Sequence, residues 1–252
     1  MSNLYWLTEA QMQRLRPLFP KSRGRARVDD RRVLSGIIFL NRNGLRWCDA
    51  PAEYGPPKTL YNRWKRWSDM GVFARIMMGL AEQAPDNKTI SIDATYLKAH
   101  RTASSLRLKK GGGGRLIGLT KGGMNTKLHA IPDTSGRPIR LFITAGQVSD
   151  YTGAAALMNG LPEAEWLLAD RGYDADWFRE TLVDKGTKPC TPGRKSRKKT
   201  IKYDKRRYKR RNRIERMFGR LKDWRRVATR YDRSPTVFLS AIALAATVIF
   251  WL

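Results

Sequence analysis

The sequence contains few of the residues that bind structural metal ions or cross-link a chain. Cys48 and Cys190 are its two cysteines and His100 and His129 its two histidines, among 252 residues. The cysteines form no CxxC pair and no Cys/His cluster, which excludes a zinc finger and is typical of a reducing cytosol. The histidines match no catalytic pattern, so we expect them in the core or on the surface.

The sequence also lacks an apolar segment long enough to cross a membrane. Its longest apolar run, residues 237–252, is shorter than the roughly 20 residues that a spanning helix needs. Ser234 and Pro235 are typical of an N-cap and a first helical turn, so this run is predicted to be a buried C-terminal helix. No secretory signal is recognisable. We therefore expect a cytoplasmic protein with no membrane partner.

Acidic residues are scarce relative to basic ones. Lys and Arg number 50 and Asp and Glu 22, for a net charge of +28 and a pI near 10.8. So large a positive charge opposes compaction and favours a polyanionic partner, most often nucleic acid. Eight tryptophans and 41% hydrophobic residues argue for a packed core rather than a disordered chain or a histone-like protein. A nucleoid-associated, DNA-binding protein is the expectation.

Residues 1–86 are predicted to form an all-helical DNA-binding domain. Thr8 and Gln11 make a capping box, Asp29 or Asp30 can begin a second helix that Gly44 ends, and Thr59 can cap a third. A fourth helix is expected from Val72 to about Gln83.

The third helix resembles the reading helix of a helix-turn-helix protein. Leu60, Trp64 and Trp67 recur at helical spacing and are predicted to face the core. That leaves five residues facing outward: Tyr61, Asn62, Arg63, Lys65 and Arg66. Arg and Asn can read guanine and adenine edges in a major groove. A plain basic surface helix in a bundle is an equally good interpretation.

From residue 87 the period changes to that of an α/β domain, predicted to extend to residue 252. TISIDATYL is predicted to be a strand, NTKLHAIPD and PIRLFITAG a hairpin around Ser135-Gly136, and WLLA a buried strand ending on Asp170. Helices near 152–159 and 174–185 and a strand at GTKPC follow. The order is that of a ribonuclease-H-like mixed sheet flanked by helices.

Residues 100–125 interrupt this pattern with a run rich in glycine and lysine. The glycines do not match the GxxxxGK[ST] signature of a nucleotide-binding P-loop. A mobile basic loop that follows a nucleic-acid backbone is one interpretation, and a simple linker is the other.

A basic segment, KRRYKRRNRIERMFGRLKDWRRVATR at 205–230, is predicted to be a single helix. At about 100° per residue, Tyr208, Arg211, Glu215 and Lys222 fall on one arc. An apolar stripe lies beside it, and a third, basic arc holds Arg213, Arg216 and Arg220. A purely structural interpretation of Glu215 is a surface residue that forms an i,i+4 ion pair with Arg211. Such a pair stabilises a helix by a few tenths of a kcal/mol.

Three acids stand out in a chain that has few of them. Asp93 lies on the first strand, Asp170 at the end of the buried strand, and Glu215 on the basic segment. Each has an ordinary structural explanation when taken alone, because Asp170 can cap a turn and Asp93 can face solvent. Together they would repel one another, and Mg²⁺ binds such carboxylates while leaving positions for water and phosphate oxygens. A pair of Mg²⁺ ions about 4 Å apart can drive phosphodiester displacement, and Mn²⁺ is expected to substitute.

Three stretches closely resemble the signature regions of bacterial insertion-sequence transposases of the DDE type, in the group typified by insertion sequence 5. They are SIDAT around Asp93, LADRGY around Asp170, and the Tyr208, Arg211, Glu215, Lys222 spacing. GLRWCDAPAEYGPPKTLYNRWKRW and TKGGMNTKLHA also resemble that group, so the likeness covers nearly the whole chain.

The resemblance implies a ribonuclease-H-like core with Asp93, Asp170 and Glu215 as catalytic residues and metal ligands. It implies cut-and-paste transposition, in which water frees 3′ hydroxyls at the element ends and these attack target DNA. Tyr208, Arg211 and Lys222 would contact DNA. The expected partners are the terminal inverted repeats, target DNA, and at least one further copy of the chain. The alternative is a non-catalytic or domesticated DNA-binding protein; an RNA-binding or ribosomal protein would need no such triad.

Overall fold

The structure of the protein is a computed structural model that describes residues 4–20, 29–83, 86–104, 114–158 and 160–252. Its α-helices are α1 (Glu9–Leu15), α2 (Asp30–Asn43), α3 (Pro57–Asp69), α4 (Val72–Gln83), α5 (Arg101–Ser104), α6 (Asp150–Met158), α7 (Asp176–Asp184), α8 (Lys205–Tyr208), α9 (Asn212–Lys222), α10 (Arg225–Ala228) and α11 (Pro235–Ala246). Its strands are β1 (Thr89–Ser91), β2 (Asp93–Ala99), β3 (Gly118–Thr120), β4 (Gly123–Pro132), β5 (Pro138–Ala145), β6 (Trp166–Leu168), β7 (Lys188–Cys190) and β8 (Thr229–Arg230).

The chain divides into two compact units. The first contains the described residues of 1–80, 100–106 and 221–252, and the second those of 81–99 and 107–220. Residues 221–252 therefore group with the N-terminal helices, whereas the sequence pattern placed all of 87–252 in one domain. The assignment of DNA binding to the N-terminal part and catalysis to the remainder stays a prediction.

The first unit begins with helices whose ends follow the predicted signals. Thr8 and Gln11 form the capping box of α1, and the Asp29 side chain accepts hydrogen bonds from the first turn of α2. Gly44 ends α2 with a positive φ of 70°. A side chain at that position would be strained, so glycine is the residue that lets the chain leave the helix there.

The third helix begins earlier than predicted. α3 begins at Pro57 without a side-chain cap, so the prediction that Thr59 caps it is wrong. Proline has the φ of a first helical turn and loses no hydrogen bond there. Leu60, Trp64 and Trp67 are buried as predicted. The connection from α2 spans residues 44–56 and contains two 3₁₀ turns, so it is not the tight turn expected of a helix-turn-helix.

The C-terminal helix is buried, as its composition predicted. Ser234 caps α11 through the Val237 N–H, and Pro235 occupies its first turn. The helix continues as a π-helical turn over Thr247–Trp251. Of the helices in the described ranges, none combines the length and apolarity needed to cross a bilayer.

The second unit is built on strands in ribonuclease-H-like order. β5, β4 and β2 pair antiparallel, and β1, β6 and β7 pair parallel. β1 and β2 belong to one chain segment, interrupted only at Ile92, whose N–H donates to the Leu168 carbonyl at 2.9 Å. The resulting order, β5-β4-β2/β1-β6-β7, has three antiparallel strands followed by two parallel ones. The predicted strands, hairpin and fold class are confirmed.

The basic segment at 205–230 is not one helix, so that prediction is wrong. α8 leads through a 3₁₀ turn at Lys209–Arg211 into α9, which ends at Lys222. Trp224 then adopts an extended conformation before α10. The Trp224 side chain is buried, and the extended backbone at this residue ends the helical run.

The segment at 100–125 is more ordered at both ends than a loop. Residues 101–104 form α5, while β3 and the start of β4 form an antiparallel pair around residues 121–122. The prediction of a loop over the full range is therefore wrong. Its central residues, 105–113, lie outside the described residues.

Candidate active site

Asp93 and Asp170 occupy equivalent positions on neighbouring parallel strands. Ser91 of β1 pairs in register with Leu168 of β6, and each acid follows two residues after its member of that pair. An offset of two residues returns a side chain to the same face of the sheet. Adjacent strands are about 4.8 Å apart. The fold thus brings two acids that are distant in sequence to one edge of the sheet.

Asp170 starts a 3₁₀ turn that fixes its carboxylate. Oδ1 accepts a hydrogen bond from the Gly172 N–H at 2.8 Å. The turn ends at Tyr173, whose hydroxyl is buried and has no hydrogen-bond partner among the described residues. Burial raises the Tyr173 pKa, and the charges of Asp150, Asp93 and Asp170 raise it further. Sequence reasoning treated Tyr173 only as part of a turn, although the DRGY stretch already marked it.

Glu215 reaches the same region through an arginine. Arg211 Nη1 lies 2.6 Å from Asp93 Oδ2, and its Nη2 lies 2.6 Å from Glu215 Oε1. The i,i+4 ion pair between Arg211 and Glu215 is the one that the purely structural interpretation of Glu215 predicted. One guanidinium is shared by two of the three acids.

Burial dominates the electrostatics around Asp93. It raises the pKa of the Asp93 carboxyl, and the charge of Asp170 adds to that rise. The Ala94 N–H, which donates to Asp93 Oδ1 at 2.7 Å, and the Arg211 guanidinium oppose it. Burial likewise raises the pKa of Tyr208, with Asp170 contributing and Arg211 opposing. These shared influences group the side chains of Asp93, Asp170, Arg211 and Tyr208 in one electrostatic neighbourhood.

The donor chemistry of this neighbourhood fits a divalent cation. Within the described ranges, no three His, Cys, Asp or Glu side chains are gathered closely enough to hold a metal ion. Asp93 and Glu215 nevertheless share a cation already, in the form of the Arg211 guanidinium. Carboxylate oxygens are the ligands that Mg²⁺ prefers, and Asp170 adds a further carboxylate on the strand beside Asp93.

The other residues of the second unit expected to bind DNA are placed in different ways. Tyr208 ends α8 and is half-buried. Arg213 donates to the Thr134 carbonyl in the hairpin turn between β4 and β5, so it contributes to the packing of that turn. Arg216 and Arg220 are exposed on α9.

The expected DNA-binding residues of the first unit also differ in their exposure and in their contacts. Arg63 was predicted to face outward, but its side chain is only 17% exposed, lies 3.9 Å from Asp30 and covers the Trp67 ring. That prediction is wrong, because Arg63 completes the packing of α3 on α2. Lys65 is paired with Asp69 on the same helix, at 2.5 Å, and Arg66 is exposed. Lys222 is exposed at the end of α9.

Sequence reasoning missed a buried ion cluster just beyond Asp170. The Asp174 side chain is fully buried and lies 2.8 Å from both Arg179 and Arg197. It also accepts from the Arg194 N–H at 2.8 Å. The cluster fastens residues 194–197 to the turn that carries Asp170. Asp174 and the three arginines are separated in the sequence by up to 23 residues, and no local pattern signals the contact.

Two family models match the chain. The model described as "Transposase DDE domain" matches residues 84–250, about two thirds of the chain, and the model described as "Putative transposase of IS4/5 family" matches residues 7–77. The first match includes Asp93, Asp170 and Glu215.

Individual proteins match as well. The "Putative transposase for insertion sequence element IS6501" of Brucella ovis is 37% identical over 131 residues, 51% of this chain and 99% of that protein. The "Putative transposase for insertion sequence element IS402" of Burkholderia cepacia is 26% identical over 137 residues, 50% of this chain and 63% of that protein. A solved structure of the piggyBac transposase synaptic complex with hairpin DNA aligns at a TM-score of 0.49 and 8% identity, covering 94% of this chain and 68% of that one. The fold of the second unit is assigned from its strand order.

Proposed function

The chain belongs to the DDE transposase family and is a DNA transposase, and we propose that Asp93, Asp170 and Glu215 are its catalytic carboxylates. The observation that carries this assignment is the register of β1 with β6, which puts Asp93 and Asp170 at matching positions of adjacent strands. The shared contact with Arg211 joins Glu215 to Asp93.

Divalent metal ions are the usual cofactors of this family. We propose that the three carboxylates hold two Mg²⁺ ions, for which Mn²⁺ can substitute. When bound, such a pair activates the attacking oxygen and stabilises the leaving oxygen of a phosphodiester. The Gly172 N–H donates to Asp170 Oδ1 and the Ala94 N–H donates to Asp93 Oδ1, and these bonds orient the two carboxylates.

Further residues of the chain are proposed to bind DNA. Tyr208, Arg211 and Lys222 are proposed to contact the element end, with Arg213, Arg216, Arg220, Arg63, Lys65 and Arg66 as further phosphate contacts. Those that already bond within the protein, Arg63 and Arg213 in particular, would have to give up or share those bonds. Attack by water at an element end would free a 3′ hydroxyl, and that hydroxyl would then attack target DNA at the same site.

The proposed DNA partners are the terminal inverted repeats of the element and its target. Two ends must be cut and joined together, so we propose a homodimer or larger assembly on DNA. Analytical ultracentrifugation of the DNA complex should give the mass of at least two chains. A complex that sediments with one chain per DNA end would contradict this proposal. A location in the cytoplasm, on the nucleoid, follows from the substrate.

The test of the catalytic assignment is Asp93→Asn. It removes a negative charge but keeps the shape of the side chain, so cleavage of element-end DNA should be abolished while binding stays intact. Asp184→Asn is the matched control, because Asp184 is an exposed acid at the end of α7. Cleavage and gel-shift assays in Mg²⁺ would measure both activities. If the Asp93 variant still cut DNA, the assignment would be wrong, and a DNA-binding protein without catalytic activity would be the better description.

A further inference from the structure

Arg211 holds the oxygens that a metal ion would need. Its two terminal nitrogens bond Asp93 Oδ2 and Glu215 Oε1, both at 2.6 Å. The other oxygen of Asp93 already accepts from the Ala94 N–H. Both oxygens of Asp93 are therefore occupied, and the one that faces away from its own backbone is bonded to a guanidinium.

The position of Arg211 makes this contact strong. Its side chain is 17% exposed and that of Asp93 20%, so solvent screens the pair poorly. A planar guanidinium that donates to two carboxylates forms charge-assisted bonds of the strongest class in proteins. A second cation at the same oxygens would be repelled by Arg211 as well as attracted by the acids.

If a metal ion displaces Arg211 from the two acids, a DNA phosphate can serve as its new anionic partner. A guanidinium can donate two parallel N–H bonds to a phosphate, just as it can to a carboxylate. The run from α8 to α9 contains further exposed cations, among them Arg216 and Arg220, which would bring a DNA backbone to this helix. A phosphate there would give Arg211 a new partner and release the two acids.

We propose that Arg211 is a built-in counter-cation that competes with the divalent ion, and that DNA phosphate relieves this competition. Metal ion and DNA then bind with positive coupling, and the nuclease site is completed on its substrate rather than in the free protein. By thermodynamic linkage, the metal must strengthen DNA binding by the same factor. The proposal rests on the proposed role of Asp93 and Glu215 as metal ligands.

The experiment measures Mn²⁺ binding, not cleavage. Free Mn²⁺ is followed by electron paramagnetic resonance as it is added to the wild type, Arg211→Ala and Arg210→Ala, each with and without an unrelated duplex oligonucleotide at low salt. Arg210 is the matched control, because it is exposed and makes no ion pair in the described part of the chain. We expect Arg211→Ala without DNA to bind Mn²⁺ at least about fivefold more tightly than the wild type, the lower end of usual coupling factors.

The duplex should tighten Mn²⁺ binding to the wild type and to Arg210→Ala, but much less to Arg211→Ala. Arg211→Gln keeps a polar side chain but loses the charge. It provides the same test if the alanine variant folds poorly, and the same tighter Mn²⁺ binding is expected of it. Equal Mn²⁺ affinity in the wild type and both Arg211 variants would overturn the proposal. Asp93→Asn separates the two hypotheses, because unchanged Mn²⁺ binding by that variant would overturn the metal assignment itself.

Discussion

His129 is the side chain whose ionisation we expect to matter most for stability. It is fully buried, and its Nε2 lies 2.9 Å from the Thr144 hydroxyl. Gly153 of α6 packs against the ring so closely that a Cβ at that position would overlap it. Burial lowers the His129 pKa from 6.5 to about 4. The neutral imidazole is therefore the form that the fold accepts.

We predict that the wild type loses stability between pH 6.5 and about 4 through His129. The unfolded chain binds a proton in that window and the folded protein does not, so stability falls as the pH falls. The loss should approach roughly 3 kcal/mol at the acid end. His129→Gln should flatten this part of the profile, measured by urea unfolding at several pH values. An unchanged slope in the variant would show that other groups cause the acid sensitivity.

The proposed catalytic acids and their neighbours differ in how well the sequence alone could locate them. Asp93 and Asp170 follow strands whose apolar patterns are plain, so their convergence at one edge could be predicted. The i,i+4 pair of Arg211 with Glu215 could be predicted too. The bond from Arg211 to Asp93 could not, because it spans 118 residues and depends on the placement of α9 against the sheet.

Among the secondary-structure elements, the turn after β6 depends on a buried ion cluster. Asp174 is held by Arg179, Arg197 and the Arg194 N–H. Burial would raise the Asp174 pKa, but these hydrogen bonds more than offset it and the pKa is lowered. The carboxylate thus stabilises the fold above its unfolded pKa, and this contribution is lost only as the pH falls through the lower folded value.

We predict that Asp174→Asn destabilises the protein by about 3 kcal/mol, because it leaves the half-buried Arg179 and Arg197 without their buried counter-charge. Asp176→Asn is the control. It removes a 73% exposed carboxylate that also pairs with Arg197, and should cost less than about 1 kcal/mol. Thermal unfolding at neutral pH measures both. Similar losses in the two variants would contradict a special role for the buried acid.

The ends of helices could be predicted where a capping side chain or a glycine provides a local signal. The capping box of α1 and the glycine after α2 are local signals, and both were predicted correctly. The end of α9 has no such signal, since the pattern of 205–230 continues past it. There the extended Trp224, with its buried side chain, ends the run, and a packing interaction of this kind is not visible in a periodicity.

Over the entire chain, the net charge of +28 should dominate how strongly DNA is held. Lys195, Lys198 and Lys199 are exposed and form no ion pair within the described residues. They belong to the segment that Arg194 and Arg197 fasten beside the turn carrying Asp170. We expect this segment to contact phosphates.

The measurement is the slope of log K for DNA against log salt concentration. Each phosphate contact contributes about 0.9, so replacing Lys198 and Lys199 with alanine should lower the slope by up to about 2. Lys185→Ala is the control. Lys185 is an exposed lysine directly after the C-terminal end of α7, whereas the segment with Lys198 and Lys199 is anchored at the N-terminal end of α7, where Arg197 contacts Asp176. If the double variant and the control had the same slope, the segment would not contact DNA.

The two cysteines offer a practical route to the assembly state. Cys48 is exposed and Cys190 is buried, and neither is oxidised to a disulfide. A maleimide dye should therefore attach once per chain, at Cys48, without any engineering of the sequence. Counting bleaching steps on single immobilised DNA molecules would then give the number of transposase copies on each element end.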